Sequence, residues 1–241
     1  FVMRWDFSQV PAEGDARDIE AAVHAHLNDR IDDFRRRYAD RLPYPIDIHP
    51  DYALSSWSSA LSAVSQTPHK FYLLVDEYDN FANAAMMAER DGSRDRHAAL
   101  LYAESLLKTV FKAVKAGASG MGLDRVFITG SSPVDLSDTT SGYNVAQNLS
   151  LYPELNTLCG FTEAEVAAAL EQLAGQDGEC LAQETASAIR AHCGGYRFNE
   201  RVTDNVYHPT LTLNWLDALN KGRRVPDEIP DAKRAMGRDK L

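Results

Sequence analysis

The sequence predicts an α/β fold, a parallel sheet flanked by helices and followed by a small helical domain. Phe71-Tyr72-Leu73-Leu74-Val75 is a continuous apolar run that leads straight into Asp76 and Glu77. Such a run has the pattern of a strand buried on both faces. Segments with helical spacing separate it from two other short apolar stretches, and that alternation belongs to parallel sheets. No comparable strand follows residue 150, where helix caps and three- and four-residue spacings take over.

Taken in order, Phe1 to Ser8 has strand character and ends in the polar Asp6 and Ser8. From Asp15 to Asp40, Ile19, Val23, Leu27, Ile31, Phe34 and Tyr38 form one stripe of a long amphipathic helix. Pro43 and Pro45 stop it. A second helix over Asp51 to Ser65 buries Trp57, Leu61 and Val64, and Pro68 breaks the chain before the acidic strand. Beyond the loop at Asp91-Gly92-Ser93, a helix from Arg94 to Lys115 carries Leu101, Leu107, Phe111 and Val114. Gly117, Gly120 and Gly122 then release the chain into a third short strand, Val126 to Thr129.

Thr162-Glu163-Ala164-Glu165 has the form of a capping box opening a helix to Leu173. Further helices are expected over Cys180–His192 and Pro209–Lys221, with Gly222 as a stop signal. The expected organisation is therefore a sheet domain over 1–150, a helical lid over 151–222 and a charged linker over 223–241.

Composition narrows the function. Lys+Arg of 25 against Asp+Glu of 35 gives a net charge of −10, which disfavours direct contact with nucleic acid. The three cysteines, Cys159, Cys180 and Cys193, have no CxxC spacing, so they suggest neither a disulfide framework nor a zinc site. A reducing cytoplasm is the expected compartment. No apolar stretch approaches the ~20 residues of a membrane span. The chain begins at Phe1 in strand-like sequence, as expected of a piece of a longer protein.

The chemistry concentrates where the acidic strand ends. Open α/β sheets place ligands at the carboxyl ends of their strands. In P-loop NTPases two adjacent acids stand there. One helps hold the Mg²⁺ that bridges the phosphates, and the other orients the attacking water. Asp76 and Glu77 match those positions, although a strand ending in solvated acids has the same look. His24 and His26 lie two apart and point to different sides of a helix, so they cannot share a metal. His192 beside Cys193 marks a helix end.

Several segments together resemble the predicted AAA-ATPase-like family, whose members often carry a C-terminal restriction-endonuclease-like domain. They are Trp5-Asp6-Phe7-Ser8, Val75-Asp76-Glu77-Tyr78-Asp79, Phe127 to Val134, Thr140 to Asn144, Asn148-Leu149-Ser150, Cys159 to Glu165, Gly195-Tyr196-Arg197-Phe198 and Val206-Tyr207-His208-Pro209. Their order and spacing follow the family over nearly the whole chain. These 241 residues contain no G-x-x-x-x-G-K-[ST] phosphate-binding loop and no nuclease-like region. Gly194 and His208 also depart from the family's usual residues.

The resemblance implies a P-loop NTPase-like core that binds ATP and Mg²⁺. Asp76 becomes the metal ligand, Glu77 the water-orienting base and Thr129 the polar residue beside the γ-phosphate. Ser131 and Ser132 are alternatives to Thr129. Asp6 is expected next to Asp76, supporting the metal shell or forming a turn. Asp79 caps the following turn. Arg197 is the lid residue suited to phosphate or a structural arginine on the lid surface, and Arg125 a finger toward a neighbouring subunit. Tyr143 and Asn144 face a substrate or partner, or merely stiffen a loop.

Three functions follow as expectations. The first is an ATP-hydrolysing switch, active in the intact protein but not in this segment alone. The second is a non-catalytic scaffold on the same fold, binding a protein partner or another copy of itself. The third is a Mg²⁺-dependent nuclease on Asp76, Glu77 and Asp79, disfavoured by the charge and by the lack of a following Glu-x-Lys.

Overall fold

The computed structural model describes residues 1–80, 83–84, 94–130, 146–174 and 179–222. Ser131, Ser132, Tyr143, Asn144 and the linker expected from Arg223 lie outside these residues. The chain divides into two compact units, Phe1–Ala146 and Gln147–Leu241.

Unit 1 is α/β. Its three strands, β1 (Val2–Asp6), β2 (Phe71–Asp76) and β3 (Leu123–Ile128), form a parallel sheet in the order β1-β2-β3. Three long helices alternate with them: α1 (Ala16–Arg37), α2 (Ala53–Ser65) and α3 (Arg94–Ala118). The expected parallel pairing of the acidic strand with the third strand is present, with Val75 opposite Ile128. β3 begins three residues earlier than its apolar core suggests, because Leu123 turns into the core opposite Phe71.

Local chemistry explains the helix ends. The Asp15 carboxylate accepts from the N–H groups of Arg17 and Asp18, while Asp18 accepts from the Asp15 N–H at 3.0 Å. This reciprocal box satisfies donors that the first turn of a helix leaves unpaired. α1 is thereby fixed to begin at Ala16. Its stripe of Ile19, Val23, Leu27, Ile31 and Phe34 is buried as its spacing predicts.

One core results, in which Trp5 and Trp57 meet edge to face at 5.0 Å and Phe71 sits between Trp57 and Phe34. Each such side chain contributes roughly 1.5–3 kcal/mol on burial.

The expectation that the acidic strand is buried on both faces is corrected. Phe71, Leu73 and Val75 are buried, whereas Tyr72 and Leu74 are exposed. Val2 and Arg4 on β1 and Phe127 on β3 share the exposed face. The three helices all join the core beneath the opposite face. A two-residue period was concealed because Tyr72 and Leu74 are themselves apolar.

Unit 2 contains α4 (Glu163–Ala174), α5 (Glu179–Cys193) and α6 (Pro209–Gly222) around Val166, Leu170, Ile189, Cys193, Trp215 and Leu219. Thr162 caps α4: its N–H donates to Glu165 at 2.8 Å, and the Glu165 N–H returns to the Thr162 hydroxyl at 3.3 Å. Among the described residues its only β pairing is two antiparallel bridges, Phe161 with Tyr207 and Tyr196 with Val206. His192 lies in the last turn of α5 and stacks on Trp215.

Candidate functional site

The carboxyl ends of the three parallel strands bring the sequence-predicted residues of unit 1 together. Asp6 and Asp76 are direct register partners across β1 and β2. Thr129 follows β3 immediately, and its backbone N–H donates to the Val75 carbonyl at 2.8 Å. Its hydroxyl donates to Asp76 Oδ1 at 2.6 Å. The Glu77 N–H reaches the same oxygen at 3.2 Å. One oxygen of Asp76 is thus fixed from two sides.

The other oxygen meets a residue that sequence reasoning missed. Arg4 Nη2 lies 2.8 Å from Asp76 Oδ2 and 3.3 Å from Asp6 Oδ2. The signal was available: Arg4 stands two residues before Asp6 on a strand, so both side chains fall on one face. Asp6 has further partners. Its Oδ1 accepts from the Ser8 hydroxyl at 2.6 Å and the Ser8 N–H at 3.2 Å, and Gln9 reaches Oδ2 at 3.1 Å. The Ser8 hydroxyl above all holds this carboxyl below its ordinary range, with Gln9, the Ser8 N–H and Arg4 helping and burial opposing. Asp6 therefore both forms a turn and stands beside Asp76.

Because the Thr129 proton is directed at Asp76, that hydroxyl is left with acceptor lone pairs. It is able to accept a hydrogen bond from water without disturbing Asp76. Donating to a phosphate oxygen requires it to let go of the carboxylate.

Glu77 adopts φ +53°, in the left-handed region that non-glycine residues seldom enter. This turns the chain sharply after the strand. The loop is then tied down: the Tyr78 N–H donates to the Thr129 carbonyl at 3.3 Å, and the Asn80 amide donates to the Phe7 carbonyl at 3.0 Å. Asp79 is buried and its carboxylate accepts from the Asn83 side chain at 3.1 Å, while its backbone carbonyl accepts from the Asn83 N–H at 3.0 Å.

Arg125 lies elsewhere. It pairs in register with Tyr72, about 13 Å of strand before Thr129, and its exposed guanidinium is 3.7 Å from Asp124. Arg197 belongs to unit 2, is exposed and donates to the Val202 carbonyl at 3.3 Å. In that unit it is Arg190, 2.5 Å from Glu163, that lines a cavity of about 420 Å³ with Thr162, Asp204 and Tyr207. Glu163 is held below its ordinary range by Arg190 first and the Tyr207 hydroxyl second.

The donor set at the sheet edge is hard oxygen. Among the described residues no three His, Cys, Asp or Glu side chains converge as a metal cage. Carboxylate oxygens such as those of Asp76 and Asp6 are the donor type that Mg²⁺ takes, one or two at a time, alongside waters and substrate phosphates. No helix of the described residues is long and apolar enough to cross a membrane.

A family profile described as "Predicted AAA-ATPase" matches residues 1–140, more than half of the 241-residue chain. Searches of curated proteins and of solved structures gave no significant match.

Proposed function

Since the chain belongs to the predicted AAA-ATPase family, we propose that it is the core of an ATP-binding and ATP-hydrolysing switch on a P-loop-like sheet. The observation that carries this reading is the junction of Asp76 and Thr129 at the carboxyl end of adjacent parallel strands, 2.6 Å apart. In this proposal Asp76 holds Mg²⁺ directly or through water, with Asp6 supporting it. Bound there, the ion supplies neutralising charge for the nucleotide phosphates. Glu77 orients the attacking water, and Thr129 accepts a hydrogen bond from it. Arg197 is the lid residue proposed to meet phosphate, because a guanidinium fork suits that geometry.

Phosphoryl transfer depends on positioning and charge more than on covalent chemistry. Residues 1–241 contain no Gly-Lys-Ser/Thr loop, whose backbone N–H cradle would hold the phosphates. The proposal assigns that cradle to the intact protein. The second reading is a non-catalytic scaffold on the same fold that binds a protein partner or a second copy.

Calorimetric titration separates the two readings. The intact protein is expected to bind ATP in a Mg²⁺-dependent way, with Asp76→Asn weakening the Mg²⁺-dependent part. Residues 1–241 alone are expected to show no micromolar ATP affinity. An intact protein with no ATP binding leaves the scaffold.

A further inference from the structure

We propose that Arg4 is a displaceable counter-ion at Asp76, and that a divalent cation must compete with its guanidinium for the carboxylate. This inference rests on reading Asp76 as the cation ligand. Two strands create the arrangement. Asp6 and Asp76 stand directly opposite each other in register, and like charges so placed repel. Arg4, two residues back on the same face of β1, bridges one oxygen of each.

The two oxygens of Asp76 are not equivalent. Oδ1 takes the Thr129 hydroxyl and the Glu77 N–H. Oδ2 takes Arg4 at 2.8 Å, so it is the oxygen through which a cation would enter. A dication and a guanidinium on one carboxylate oxygen repel each other, so one must yield. Arg4 is able to yield, because its side chain is 60% exposed and, among the described residues, only Asp6 holds it besides Asp76. Asp6 gives it somewhere to remain: with Asp76 surrendered, the guanidinium keeps the 3.3 Å partner on its own strand. Since the pair is solvent-exposed, displacement costs little, and the effect on affinity is modest.

Mn²⁺ serves as the probe, with free ion counted by electron paramagnetic resonance during titration of the full chain without nucleotide. Arg4→Ala is expected to tighten Mn²⁺ binding about two- to five-fold, the range an exposed ion pair supports. Arg4→Lys keeps the charge and is expected to bind within about two-fold of the parent protein, on the same reasoning. The gain in Arg4→Ala should shrink in 0.5 M KCl on the order expected from charge screening. Asp76→Asn should remove both the binding and the gain. Unchanged or weaker binding in Arg4→Ala, with Asp76→Asn still abolishing it, overturns the counter-ion role and leaves the ligand role standing. Binding that survives Asp76→Asn overturns both.

Discussion

The hydroxyl of Thr129 donates to Asp76 Oδ1 at 2.6 Å, joining the ends of β3 and β2 through side chains just where their ladder stops. A hydrogen bond to a charged acceptor is stronger than a neutral one, but water reaches this pair, so its net worth is reduced. Thr129→Val keeps the shape and deletes the donor. It should lower unfolding free energy by about 0.5–1.5 kcal/mol, while Thr129→Ser should stay near the parent value. Urea denaturation of the two variants checks this. Equal stability for Val and Ser would show that the bond positions Asp76 without supporting the fold.

Glu77→Gln keeps the length, the turn and the hydrogen-bonding capacity but removes the charge proposed to orient water. In the intact protein ATP should still bind, while turnover falls roughly 10²-fold or more, the ordinary scale of a general-base contribution. Both residues bear the same cost of φ +53°, so stability should change by less than ~0.5 kcal/mol. Nucleotide affinity and steady-state hydrolysis are to be measured side by side. Undiminished hydrolysis removes Glu77 from the proposed mechanism.

How much of this was legible in the sequence depends on range. The Asp76–Thr129 junction was, because the chain order of strand, helix and strand leaves parallel pairing as the ready topology, and parallel strands end on the same side. The neighbouring Asp6 was legible for the same reason. Arg4 is placed beside Asp6 by the two-residue period, but that period does not distinguish an arginine that pairs with carboxylates from one that is only solvated. The open face of the sheet was hidden by Tyr72 and Leu74, whose hydrophobicity says nothing about whether another element covers them. The left-handed turn at Glu77 had no sequence signal at all, since no glycine or asparagine marks it.

Acid should weaken the fold through His24. Its Nδ1 accepts the Ala53 N–H at 3.3 Å, at the start of α2, and its ring is buried. Burial pushes its pKa below the ordinary 6.5, with Glu20 opposing. A group with a depressed folded-state pKa that is neutral when deprotonated contributes its full stability above the unfolded value. That contribution is lost as pH falls below 6.5, because the unfolded chain then takes the proton more readily. His26 shifts in the same direction, chiefly by burial, and adds to the slope. Urea midpoints should therefore drop between pH 7.5 and 5.5, and His24→Asn should show a shallower drop. A parallel slope in the variant would assign the acid sensitivity elsewhere.

Gly130, the residue after Thr129, is required for space rather than for backbone freedom. A Cβ there would lie 2.6 Å from Asp79 Oδ1 and 2.6 Å from a Tyr78 ring carbon. Asp79 is buried and held by Asn83, so it cannot swing aside as a flexible surface chain would. Tyr78 is fixed through its N–H to the Thr129 carbonyl and packs its ring near Phe111. Gly130→Ala should thus cost about 1–3 kcal/mol, the usual penalty for overpacking, and should displace the loop that carries Glu77. Gly120 offers the opposite case, with φ +106° and nothing within 4 Å of the place a methyl group would occupy. Alanine there meets only backbone strain and should cost on the order of 1 kcal/mol. Activity separates the two substitutions even where their stabilities converge. Gly130→Ala should reduce ATP turnover in the intact protein because the loop is shared with Glu77, whereas Gly120→Ala, at the far end of β3, should leave turnover intact. Equal turnover in both variants would mean that the position of the Glu77 loop does not limit the reaction.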